Sequence, residues 1–122
     1  MWANNETGLL FPVNRIAKIC PSRGVLYHCD AVQAAGKVEI DVGKLPADYL
    51  SLTGHNFHAP KEIGALYLRR KGPFSSLVYG GHQERNRRGG TESVPLYGRL
   101  NKASNNSSRI SRKWLKGCPF TM

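Results

Sequence analysis

The sequence predicts an α/β chain, and three observations carry that expectation. An amphipathic helical stretch follows Pro12, and short, largely apolar strands come after it. Each strand delivers polar or basic residues at its carboxyl end. The hydrophobic share of 40%, with 13 Gly and 7 Pro in 122 residues, fits one turn-rich globular unit.

Pro12 opens the helix, because its fixed φ suits the first turn and its missing N–H is not needed there. Val13, Ile16, Ala17, Ile19 and Cys20 fall on one stripe, and Pro21 is expected to end the helix at Cys20, with Gly24 just beyond. Val25-Leu26-Tyr27-His28-Cys29 reads as a strand that delivers Asp30. Tyr49-Leu50-Ser51-Leu52 reads as a second strand that delivers Thr53-Gly54-His55. Gly64-Ala65-Leu66-Tyr67-Leu68 is a third and runs into Arg69-Arg70-Lys71. Strands this apolar are expected to be covered on both faces. After the Gly- and Arg-rich stretch 80–91 comes another short helical pattern.

Charge divides the chain. The 18 Lys+Arg against 8 Asp+Glu give +10, and five of those charges come from residues 101–122, which hold no acid. Rich in Asn and Ser, that segment reads as a basic, poorly ordered tail appended to a domain over 1–100. No apolar run reaches the roughly 20 residues of a membrane span, and the first residues lack the pattern of a secretory signal. Three cysteines at irregular spacing argue against a disulfide scaffold, so an intracellular, cytoplasmic setting is expected.

In open α/β sheets ligands sit beyond the carboxyl ends of the strands. Asp30, Gln33, Thr53 and His55 are delivered there, a polar set suited to a cofactor with both a ring and an anion. Downstream, Gly80-Gly81 and Gly89-Gly90 flank a basic, flexible loop, and Thr91 is placed to offer its hydroxyl to a phosphate at the following helix start. Neither a Walker motif nor a GxGxxG is present. His55 and His58, and the His28-Cys29 pair, lack a second ligand pair, so no metal site is expected. No GxSxG elbow supports a Ser-His-Asp nucleophile.

Five strings in order carry a resemblance. Ala3-Asn4-Asn5-Glu6-Thr7-Gly8, His28-Cys29-Asp30-Ala31-Val32-Gln33, Ser51-Leu52-Thr53-Gly54-His55, Ala59-Pro60-Lys61-Glu62-Ile63-Gly64-Ala65-Leu66-Tyr67 and Gly80-Gly81-His82-Gln83-Glu84-Arg85 together resemble the NifS/IscS-like cysteine desulfurases. These are class V aminotransferases of the fold-type-I pyridoxal 5′-phosphate enzymes, which mobilise sulfur from L-cysteine for iron–sulfur cluster assembly. The resemblance spans about residues 3–100 and implies part of the large domain, a mostly parallel sheet flanked by helices.

It also implies roles. Asp30 matches the carboxylate that pairs with the pyridine nitrogen, which lets the ring accept electrons. Gln33 matches the side chain on the ring's phenolic oxygen, and Asn5 one beside the same part of the ring. Thr53 and His55 match phosphate ligands, while Thr91 matches a residue that reaches the cofactor of the other subunit, which implies a homodimer. A sulfur-acceptor scaffold is the family's further partner.

One departure is severe. The position after the Gly-His pair is the family's Schiff-base lysine, and here it is Asn56. An amide nitrogen is delocalised into its carbonyl and is no nucleophile, so no catalytic residue is assigned. Lys61 matches a separate lysine of the Ala-Pro-Lys turn and is not expected to substitute, because reacting geometry tolerates little displacement. The family's catalytic Cys and carboxylate-binding Arg belong to a region beyond the match. Cys20 and Cys29 read as buried apolar residues, and Cys118 lies in the divergent tail.

The reading is thus a truncated, catalytically inactive desulfurase-like chain. One alternative is a non-catalytic partner of an intact desulfurase paralogue. Another, disfavoured for want of any aromatic platform or recognition helix, is a basic nucleic-acid-binding module. A strand set cut from a larger sheet is expected to be marginal or to associate through its unpaired edges.

Overall fold

The computed structural model describes residues 1–107. Its elements are α1 (Val13–Ser22), β1 (His28–Asp30), β2 (Tyr49–Thr53), a 3-10 turn at Gly54–Phe57, β3 (Gly64–Leu68), the short helical turn α2 (Gln83–Asn86) and α3 (Val94–Asn106). The strands form one sheet in the order β1-β2-β3. The α/β class holds, and the sheet is mixed: β1 and β2 are parallel, whereas β2 and β3 are antiparallel. Connection length decides this. The stretch 31–48 is long enough for the crossover that parallel strands need, whereas the short 54–63 connection turns the chain back on itself.

The first helix runs past its expected end. Pro21 lies inside α1, which continues to Ser22. A proline in the last turn removes one ladder bond, and local donors serve the neighbouring carbonyls: Arg23 N–H and Val25 N–H reach Cys20 O, Gly24 N–H reaches Pro21 O, and the Ser22 hydroxyl donates to Ile19 O. Gly24, at φ +63°, makes the left-handed turn out of the helix.

The first strand is shorter than expected. Val25 and Leu26 are 55% and 54% exposed and lie before β1, not in it. The carboxylate of Asp48 accepts the Tyr27 N–H at 2.8 Å, and Tyr27 O accepts the N–H groups of Asp48 and Tyr49. The ladder therefore opens at His28 opposite Tyr49, and Val25 and Leu26 take no part in it.

A single core joins Val13 and Ala17 of α1, Cys29 of β1, Leu50 and Leu52 of β2, Ala31, Ala34 and Ala35 of the turn after β1, and Ile40, Leu45, Ala47 and Phe57. Among the described residues the buried side chains of the sheet lie on one face, where Cys29, Leu50 and Leu52 are buried and Ala65 and Tyr67 half-buried beside them. On the other, Tyr49, Ser51 and Thr53 are half-buried and His28 and Leu66 are exposed. The α1 stripe is likewise partly open, with Ile16 and Ile19 exposed. The expectation of two covered faces fails because only the Cys29, Leu50 and Leu52 side of the sheet meets α1 and the 31–47 segment.

The tail expectation also changes. Residues 101–106 continue α3, with Ser104 buried and Ala103 packed against the core. Leu100, Ala103 and Ser104 repeat at helical spacing, a period concealed by the Asn and Ser around them. The remainder, with Arg109, Arg112, Lys113, Lys116 and Cys118, lies outside the described residues.

Arg69 locks the crossover to the sheet. Its guanidinium donates from Nε to Ala47 O and from Nη2 to Leu45 O, both at 2.9 Å. Arg69→Ala should cost about 2–4 kcal/mol, because two half-buried carbonyls lose a charged donor. Arg69→Lys should recover less than half of that in chemical denaturation, since one ammonium cannot span both acceptors as a rigid fork does.

Candidate functional site

The parallel pairing of β1 and β2 brings Asp30 and Thr53 out at the same edge of the sheet. Asp30 is half-buried, and its Oδ1 accepts the Val32 N–H at 2.9 Å, which fixes the carboxylate at the mouth of the following turn. Among the described residues no donor reaches its second oxygen. Gln33 lies in that turn, and its Oε1 accepts a hydrogen bond from Lys37 Nζ at 2.8 Å. The carboxamide NH₂ is thereby turned away from the ammonium.

The Thr53 hydroxyl and the His55 ring meet at 3.0 Å through Nδ1, one donating and the other accepting according to the tautomer. Asn56 follows within the 3-10 turn. Its side-chain Nδ2 donates to Val32 O at 3.2 Å, two residues beyond Asp30. A carbonyl can only accept, so the nitrogen of the amide must face it. That bond ties the β2–β3 connection to the turn after β1. Asp30, Gln33, Thr53, His55 and Asn56 thus cluster around one strand edge.

Asn5 is carried to the same end indirectly. Trp2 N–H donates to Asp30 O at 2.7 Å, and the chain then turns back so that Ala3 bridges Leu10. Asn4 closes that turn, its Oδ1 accepting from Glu6 and Thr7 N–H at 2.9 Å each. Asn5 is exposed at the tip, and no hydrogen bond joins it to Asp30 among the described residues.

Thr91 stands apart. It borders a separate cleft of about 650 Å³ between β3 and the 84–97 segment, with Glu62, Glu84 and Arg88 among its neighbours. The helix expected to start at Thr91 begins at Val94, so its hydroxyl is not at the helix terminus. Nor is the loop before it free of ties. Ser76 Oγ donates to Arg87 O, Gly90 N–H to Gln83 Oε1, and the Tyr97 hydroxyl to Glu84.

Burial, and then the bond to Glu84, push the Tyr97 phenol from 10.0 up to about 12. The folded state holds this proton more tightly than the unfolded chain. Its contribution is therefore intact below pH 10 and is lost as pH rises from 10.0 to about 12. Tyr97→Phe should flatten the fall of the thermal midpoint across that window. A residual slope should remain from Tyr27 and Cys29, which burial raises in the same direction.

Cys29, fully buried in the core with its thiol raised by burial, has the environment of an inert cysteine. In the native chain it should react with a thiol reagent at least about tenfold more slowly than in urea.

Sequence reasoning overlooked one feature beside Asn56. A cleft of about 970 Å³ lies between the 36–37 and 56–60 segments and α3, lined in part by Lys37, Asn56, His58, Arg99 and Lys102. The signal is the spacing of Arg99 and Lys102, one helical turn apart, but the Asn- and Ser-rich composition around Lys102 reads as tail. Lys61 is exposed and does not line this cleft.

The profile of the aminotransferase class-V family matches residues 1–107. A cysteine desulfurase of Sinorhizobium fredii is 53% identical over 104 residues, 85% of this chain and 27% of that protein. Among solved structures, a NifS-like protein superposes with a TM-score of 0.84 at 39% identity, over 88% of this chain and 30% of that one. SspA, solved in complex with cysteine, gives 0.82 at 39% identity, over 87% and 31%. The chain spans about a quarter to a third of the length of these proteins. With its profile match and its partial α/β fold together, the chain belongs to the aminotransferase class-V family and is similar to that family's NifS-like cysteine desulfurases.

Proposed function

We propose that these residues form part of the cofactor domain of a cysteine desulfurase-like protein that holds pyridoxal 5′-phosphate without a covalent link and does not turn over L-cysteine. The observation that carries this reading is Asn56, an amide where the resemblance calls for an amine, seated on Val32 O at the strand edge. The donor set suits non-covalent capture. The Thr53–His55 pair can meet a phosphate, Asp30 keeps an oxygen available for a protonated ring nitrogen, and the Gln33 NH₂ is oriented to donate. Asn5 would flank the ring. The set itself holds no amine for covalent attachment, and the Lys37 ammonium beside it is engaged as a donor to Gln33 Oε1. When bound, the cofactor would supply an electron-accepting ring. The protein's own part is to hold that ring and its phosphate in place.

A homodimer, or docking on an intact desulfurase paralogue, is the partnership this reading carries. Thr91 borders a cleft distinct from the Asp30 edge, a placement that suits a contribution to a neighbouring subunit's phosphate. A sulfur-acceptor protein is the partner that an intact paralogue would serve.

The test is visible absorbance and equilibrium dialysis of the unaltered chain with pyridoxal 5′-phosphate. Binding should be saturable, fully reversible on dialysis, leave no borohydride-stable label, and weaken roughly tenfold or more in Asp30→Ala. An Asp30-dependent label mapped to Lys61 would overturn the reading.

A further inference from the structure

The cleft beside Asn56 differs in charge from the cleft beside Thr91. The Thr91 cleft sets Glu62, Glu84 and Glu92 against Arg85, Arg87 and Arg88. The Asn56 cleft carries Lys37, Arg99 and Lys102, with His58 beside them, and no carboxylate side chain among the described residues that line it. Its walls come from three parts of the chain. Arg99 and Lys102 project from one helical turn of α3, and Lys37 stands on the segment after β1. The floor holds Asn56 and the buried Phe57. Gly36, at φ +77°, lets that segment approach the floor, because a Cβ there would stand 2.7 Å from the Cβ of Phe57. The Lys37 ammonium is oriented by Gln33.

We propose that this cleft is an anion site for a small molecule that carries at least two phosphate charges. A concavity lined by one sign of charge focuses the field and concentrates ions of the opposite sign. Arg99 and Lys102 bring several N–H donors to one cleft, and a phosphate offers more acceptor oxygens to such a set than a carboxylate does. The volume, about 970 Å³, is in the range of small-ligand pockets. A nucleic-acid duplex presents its phosphates on a convex surface and fits this concavity poorly. The site does not depend on the reading of Asn56, because its charge comes from Lys37, Arg99 and Lys102.

The probe is inorganic pyrophosphate, titrated calorimetrically into the full 122-residue chain at fixed ionic strength. Saturable binding is expected, with Arg99→Gln and Lys102→Gln each weakening it about tenfold. Both residues are exposed, so the circular dichroism of the variants should match that of the parent. Arg70→Gln, which removes an exposed charge outside the cleft, should leave affinity within about twofold. Absence of saturation would overturn the proposal. So would an equal loss in Arg70→Gln, which would mean diffuse attraction to a basic chain. Displacement of pyrophosphate by a DNA duplex at equal phosphate concentration would overturn the small-molecule assignment.

Discussion

Asn56→Lys should convert reversible capture of pyridoxal 5′-phosphate into covalent capture, raising borohydride-stable label from background to nearly one per chain. The reason is electronic. A lysine amine carries a free lone pair once deprotonated, whereas the amide lone pair is delocalised into its carbonyl. Position 56 directly follows the Thr53–His55 pair and is tethered to Val32 O next to Asp30, so the new amine would start from the same strand edge. Asn56→Gln, which lengthens the side chain but keeps the amide, should leave the label at background. Adding Asp30→Ala to Asn56→Lys should remove most of the specific label. Peptide mapping must place the label on residue 56. A diffuse pattern over the chain's other lysines, without dependence on Asp30, would instead mean that the strand edge does not hold the ring.

The second large effect is on stability. Leu50→Ala should cost about 3–5 kcal/mol and lower the urea midpoint by roughly 1.5–2 M. Leu50 is fully buried in the central strand, facing Cys29 on one side and Tyr67 on the other. Its neighbours are held by ladders on both flanks and cannot collapse into the space left behind. Leu66→Ala is the matched control. Leu66 lies in β3 on the open face, 42% exposed, and its truncation should cost less than about 1 kcal/mol. Equal losses would mean that both faces of the sheet are covered in solution, by self-association or by a partner.

The sequence reading succeeded where one residue is placed by its own neighbours in the chain. Asp30, Thr53 and His55 come directly after apolar runs, and strands of that kind carry the next residues to one edge. The assignment of Asn56 rests on the resemblance alone, through the Gly-His pair before it. The failures share a different cause. The start of β1 depends on the carboxylate of Asp48, distant in sequence, and the direction of β3 on how little chain joins it to β2. The helical period of Leu100, Ala103 and Ser104 was outweighed by the polar composition around it. The cationic cleft was invisible because Lys37 and Lys102 come to line it only through the fold.

The mixed sheet also sets an order of assembly. The β2–β3 ladder pairs Tyr49–Thr53 with Gly64–Leu68 across the 54–63 connection, while β1 must close the longer 31–48 excursion to reach β2. Loop closure grows by only about 0.6 kcal/mol for each doubling of length, so the entropic difference between the two is small. Ladder length is the larger bias, because the antiparallel pair gains five residue pairings and the parallel pair three. The β2–β3 unit is therefore expected to form first, carrying Thr53, His55 and Asn56 with it. Mutations there should slow folding, and those around Asp30 should mainly speed unfolding. Thr53, His55 and Asn56 would then be in place before the Asp30 carboxylate arrives. A ligand held by Thr53 and His55 alone would therefore bind the partly folded chain as well as the finished one.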